Sequence, residues 1–161
     1  SPAVAGTAIE LQLVCRDVNS PIEYRGGTGF GTPGADSMES PSEASILLGG
    51  LGNDHLALSK PGSAAFGGPG NDEIVVSAAG TAANGGFGND RLVAETAGET
   101  LLVGGPGRDV LVGGSGTTRI NALDGARGDR VVCGSAANLV IADEGDELTG
   151  PCTRVQPTAG N

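Results

Sequence analysis

A six-residue phrase, Gly-Gly-x-Gly-x-Asp, recurs along this chain at an almost constant interval, and that interval limits the fold more than any other property. It stands at Gly49–Asp54, Gly67–Asp72, Gly85–Asp90 and Gly104–Asp109, with a degraded copy at Gly31–Asp36. The starts at 31, 49, 67, 85 and 104 give steps of 18, 18, 18 and 19 residues. A fixed period of this length is the mark of a solenoid, in which each repeat buries its apolar side only against its neighbours.

The composition agrees. The chain has 30 Gly in 161 residues, and its aromatics are 3 Phe, 1 Tyr and no Trp. Long helices are excluded, since each interior Gly costs about 1 kcal/mol against Ala. A large aromatic core is excluded too. Glycine does not fall at every third residue, which rules out collagen. With 38% hydrophobic residues the chain is too apolar for an acidic disordered segment.

Two residues after each Asp comes an apolar residue: Met38, Leu56, Ile74, Leu92 and Leu111. A second apolar column, Leu47, Ala65, Ala83, Leu102 and Ile120, occupies the other half of each repeat. Two residues before these sit Ser45, Ser63, Thr81, Thr100 and Thr118, where the first half has Asp. The register of Thr100 and Leu102 assumes that the extra residue of the 19-residue step lies between about 94 and 98. Each repeat therefore reads as one coil with two Gly-rich or polar turns and two short strands, its apolar columns facing inward. The expected fold is all-β, a parallel β-roll or β-solenoid of about five 18-residue coils over 31–121. Residues 1–30 would form an N-terminal β cap segment, and 122–161 a C-terminal cap with a frayed tail from 156. In the first segment, 7–18 alternate as a strand through Ile9, Leu11, Leu13 and Cys15, and 20–30 read as a loop.

The net charge is -10, from 19 acidic and 9 basic residues, which excludes a phosphate-binding footprint and so nucleic acid. No apolar run approaches the ~20 residues of a membrane span, so no membrane insertion is expected. The charge is placed where a cation could use it. Asp36, Asp54, Asp72, Asp90 and Asp109 would stack on one edge, and uncompensated carboxylates ~5 Å apart repel. A calcium ion between successive turns answers this, taking six to eight oxygen ligands. The plainer alternative is that each Asp only forms a turn. The hydroxyl column also has two readings: hydroxyls bonded to backbone within their turns, or a water-ordering surface for ice.

With these residues in view, 49–112 resembles the haemolysin-type calcium-binding (RTX) nonapeptide repeat, matching its GGxGxDxUx pattern four times. The resemblance implies a right-handed parallel β-roll with calcium between adjacent turns. It implies ligands from the carboxylates of Asp54, Asp72, Asp90 and Asp109 and from turn carbonyls. Those carbonyls are drawn from Gly49, Gly50, Leu51, Gly52 and Asn53; from Gly67, Gly68, Gly70 and Asn71; from Gly85, Gly86, Gly88 and Asn89; and from Gly105 and Gly107. Only one edge keeps the Asp, so about three to four ions on that edge are expected. Asp36, whose turn has Thr32 in place of the second Gly, and a degenerate turn at Asp124–Asp129 extend the site, the latter through Asp129 or Asp124. The C-terminal tail is similar to the Cys-containing ends of RTX-like actinobacterial proteins.

Cys133 and Cys152, 19 residues apart without a CxxC or a His partner, are read as a disulfide, which points to an oxidising compartment. The alternative is two reduced, partly buried thiols. Cys15 is left over, as a buried small hydrophobe or as a link between chains. Outward beside the first apolar column stand Ala57, Val75, Val93 and Val112, read either as plain β-propensity or as a contact stripe. One His, His55, sits at an outward strand position, and no nucleophile, zinc or nucleotide motif appears, so no enzyme is expected. The functional expectation is a secreted, extracellular calcium-binding module with a structural or adhesive role. Its folding would depend on calcium, and it would assemble with itself or bind an extracellular surface ligand. The alternatives are an accessory domain of a secreted protease or lipase and, more weakly, an ice-binding protein.

Overall fold

The computed structural model describes residues 22–25 and 27–156. Sixteen short strands wind into two facing sheets, with no helix among the described residues. The long sheet carries β1 (Glu23–Arg25), β2 (Thr28–Phe30), β4 (Ile46–Leu48), β6 (Ala64–Pro69) and β8 (Thr81–Phe87), then β10 (Thr100–Val103), β12 (Thr118–Ala122), β14 (Leu139–Ala142) and β16 (Thr153–Arg154), in that order. The short sheet carries β3 (Ser37–Glu39), β5 (His55–Leu58), β7 (Glu73–Val76), β9 (Arg91–Ala94), β11 (Val110–Val112), β13 (Arg130–Val132) and β15 (Glu147–Thr149). Every pairing is parallel except β1 with β2. This is the expected β-solenoid.

The registers are those of the repeat. Met38, Leu56, Ile74, Leu92 and Leu111 stack in the short sheet, and Leu47, Ala65, Ala83, Leu102 and Ile120 in the long one. All ten are at most 2% exposed. A third column, Leu58, Val76 and Ala94, lies two residues beyond the first and completes the core at the hydroxyl edge. Thr81 pairs with Thr100, which places the extra residue of the 19-residue step in the turn between β9 and β10.

The coil count differs from the sequence expectation. The solenoid has about seven turns, not five. β13 to β16 continue both sheets in register, with Val131 under Leu111 and Val140 under Ile120. The steps change here: Val110 pairs with Arg130 and Arg130 with Glu147, separations of 20 and 17, and most turn glycines are gone. A repeat recognised by its glycines stops at 121, while a repeat recognised by apolar registers does not. At the other end, the segment expected as a loop holds a hairpin, β1 and β2, turning at Gly27 with φ 82°. The strand expected over 7–18, Cys15 and residues 157–161 lie outside the described residues.

Cys133 and Cys152 form a disulfide, with Cα atoms 5.2 Å apart. Cys133 is 4% exposed and belongs to the core, so the bridge ties the last coil to the hydrophobic stack. Closing a loop of this length is worth about 3 kcal/mol in the chain-entropy view. We expect Cys133→Ser/Cys152→Ser to lower stability by that order. Amides of 139–154 should lose hydrogen-exchange protection before those of the central coils. Uniform loss along the stack would contradict this picture.

Candidate metal centre

Each Asp of the column is the last residue before a short-sheet strand, and its side chain turns into the coil. Asp54, Asp72, Asp90, Asp109 and Asp129 are all at most 2% exposed. One carboxylate oxygen has a fixed partner. The Asp36 N–H donates to Asp54 Oδ1 at 2.8 Å, Asp54 N–H to Asp72 Oδ1 at 2.7 Å, and Asp72 N–H to Asp90 Oδ1 at 2.8 Å. The series continues from Asp90 to Asp109 and from Asp109 to Asp129, both at 2.8 Å, and from Asp129 to Asp146 at 3.1 Å. Six carboxylates, from Asp54 to Asp146, thus form one ladder that starts at the Asp36 N–H.

The second oxygen has none. Oδ2 of Asp54, Asp72, Asp90, Asp109 and Asp129 is buried without a hydrogen-bond partner. It lies against the first glycine of its own turn: a Cβ on Gly49, Gly67, Gly85 or Gly104 would overlap Oδ2 of Asp54, Asp72, Asp90 or Asp109 respectively. This is why the phrase begins with Gly. In the later coils, where the turns have different lengths, Ala122 and Ala142 follow the corresponding strand positions.

Backbone contacts occupy part of the expected ligand set. Gly50 N–H donates to the Gly67 carbonyl and Gly52 N–H to that of Pro69, each at 3.1 Å. Gly70 repeats the pattern one coil on, and Gly86 and Gly88 repeat it two coils on. The first and third carbonyls of a turn therefore already accept one bond, and Oδ1 does as well. The carbonyls of Gly50 and Gly52 face Gly68 and Gly70 of the next coil so closely that a Cβ there would collide with them. Asn53, Asn71 and Asn89 form an exposed ladder of their own, each Oδ1 accepting the N–H of the residue one coil later at 2.8, 2.8 and 3.0 Å.

The ends differ from the middle. Asp36 has both oxygens occupied, Oδ2 accepting the Thr32 N–H and Oδ1 the Thr32 hydroxyl. The residue that departs from the repeat, Thr32, is the one that satisfies it. At the other end Asp129, not Asp124, takes the column position. Asp124 binds the N–H groups of Gly107 and Ala126. Asp146, absent from the sequence expectation, joins the ladder through Oδ1 and caps Gly128. Its signal was the short stretch Asp143-Glu144-Gly145-Asp146, with one glycine instead of three.

Burial pushes the Asp54 and Asp90 carboxyls up to about 6 and Asp109 up to about 7. The backbone N–H on Oδ1 opposes the shift, and neighbouring carboxylates add to it. Asp72 and Asp129 are raised for the same leading reason. The ion pairs among the described residues lie elsewhere and on the surface, such as Arg91 with Glu73.

The donor set is all oxygen, which suits a hard cation. No group of three or more His, Cys, Asp or Glu gathers at one point among the described residues, so an ion here must draw on backbone carbonyls. The orphaned Oδ2 atoms are donors of the kind a calcium-like ion takes, and turn carbonyls would have to complete its set. The opposite edge carries no such demand. Ser45, Ser63, Thr81, Thr100 and Thr118 are at most 5% exposed. Ser45 and Thr81 donate to the carbonyls of Ser42 and Ala78 at 2.6 and 2.9 Å. Asn138 ends this column, fully buried, donating to the carbonyls of Gly114 and Gly116.

The raised carboxyls fix the sign of an acid response. A folded-state pKa above the unfolded one means that the folded chain holds the extra proton. The resulting stability is fully present below about pH 4 and is lost as pH rises through about 6 to 7. In chelator, the melting temperature should therefore fall as pH rises from about 4.5 to about 7.5, and Asp109→Asn should flatten the upper part of that change. A flat or rising profile would contradict the burial of these groups. Comparison with protein-family models, with curated proteins and with solved structures finds no match to this chain.

Proposed function

We propose that this chain is a calcium-binding β-solenoid of the RTX type, serving as a structural or adhesive module outside the cell. The observation that carries this reading is the unbroken run of five buried Oδ2 atoms without a partner. A buried carboxylate left unpaired is expensive, and five in one column compound the cost. Asp54, Asp72, Asp90, Asp109 and Asp129 would hold the ions, with carbonyls of Gly50, Gly52 and their equivalents one and two coils on. Bound calcium supplies the positive charge that the column lacks, so binding and folding are coupled. The disulfide supports an oxidising, extracellular location. Ice binding draws no support from the hydroxyl column, whose members face the interior.

Calorimetric titration of chelator-stripped protein with calcium, beside thermal melts, tests this. We expect saturable binding at several sites, and about 2.7 kcal/mol of added stability per ion at a hundred times its dissociation constant. Asp72→Asn should weaken binding at least tenfold at its site while costing little in chelator, since the amide keeps the Oδ1 bond and removes a buried charge. No heat of binding together with an unmoved melting temperature would sink the proposal.

A further inference from the structure

The outer face of the long sheet is unlike the rest of this acidic molecule. Its two outward rows run from Ile46 and Leu48 to Leu139 and Ile141, in register coil by coil. Only Asn84, Arg119 and Asn121 are polar in these rows, and none is acidic. Ile46, Phe66 and Leu101 are 41, 47 and 39% exposed. The short sheet, by contrast, shows Glu39, Glu73 and Glu147 outward, and one turn edge carries the Asp ladder. Two chains of net charge -10 can approach closely only where acid is sparse; these rows hold none, and Glu99 at their border is paired with Arg119 at 3.5 Å.

We propose that the occupant of this face is a second copy of the chain, packed long sheet to long sheet about a two-fold axis parallel to the strands. Such an axis reverses the order of coils and keeps each row against its own counterpart. Placed through Leu101 and Val103, it sets Asn84 opposite Asn121 of the partner subunit, twice, so that the amides meet one another. Arg119 then faces the small Ala82, and Phe66 faces Ile141. At Ile141 there is a hollow of about 300 Å³ lined by Leu101, Arg119, Ile120, Asn121, Leu139, Ile141 and Val155. The exposed Phe66 ring of one copy enters this hollow in the other. One axis position thus pairs polar with polar, long with short, and knob with hollow. The face spans seven strands from β4 to β16, roughly 30 by 10 Å. That is far below the ~800 Å² per partner of a standard interface, which predicts a weak, readily reversible dimer.

Sedimentation equilibrium from roughly 1 to 200 μM is the test. It is run with calcium and with chelator, in whichever condition circular dichroism shows the β-fold, so that failed calcium binding and failed dimerisation are read separately. We expect the wild type to dimerise, Phe66→Ala to weaken the dimer about tenfold or more, and Leu101→Glu to leave monomer. Val93→Glu, on the opposite sheet, should dimerise as the wild type does. Monomer at every concentration, or a dimer broken by Val93→Glu and not by Leu101→Glu, would each overturn the proposal, a monomer leaving the face to a different partner.

Discussion

One hydrogen bond organises this fold: the backbone N–H of each column Asp given to the carboxylate of the Asp one coil later. For that bond to form, the side chain must turn into the coil, and this explains three other features. It removes the space a side chain would need at the first turn position, which is therefore Gly. It buries the second oxygen with nothing to bond to. It also draws the carboxyl into surroundings that favour its protonated form. Glycine at the first turn position, an unpaired second oxygen and a raised carboxyl pKa are consequences of one geometric choice.

The two edges of the coil show what that choice costs. On the opposite edge, Ser and Thr occupy the equivalent place, and Ser45 accepts from and donates to neighbouring groups without carrying charge. A hydroxyl can be satisfied by its own turn, and Asn138 shows that an amide can replace it when the turn changes. A carboxylate has more lone pairs than the turn has donors. The asymmetry of the solenoid, one neutral edge and one acidic edge, is therefore also an asymmetry in what each edge requires from solution.

The central coils were legible because two signals coincide there. The glycines mark the turns and the apolar residues mark the strands, each at the same interval. Leu56, Ile74 and Leu92 could be placed in the core from spacing alone, and Ser63 and Thr81 beside it. At the ends the signals separate. Val131 and Val140 keep the apolar register while the turns before them lengthen or shorten, so the glycine phrase vanishes where the fold does not. Asp146 was hidden by the same change. The direction of the Asp side chain could not be read from the sequence, since a turn carboxylate pointing outward would have had the same spacing. Nor were the acid-free outer rows visible until the pairing of Asn84 with Val103 and Val103 with Asn121 set their members side by side.

The Asp ladder also has a direction. Every bond runs from an earlier coil to a later carboxylate, and none of these runs back. As the chain leaves the ribosome, the amide of each newest Asp waits for a residue not yet delivered. A coil is thus finished by its successor, and the stack is closed only by its last segment, where Asp146 bonds backward to the Asp143 carbonyl and the cysteine bridge follows. Each rung of the Asp ladder is thus completed from its C-terminal side.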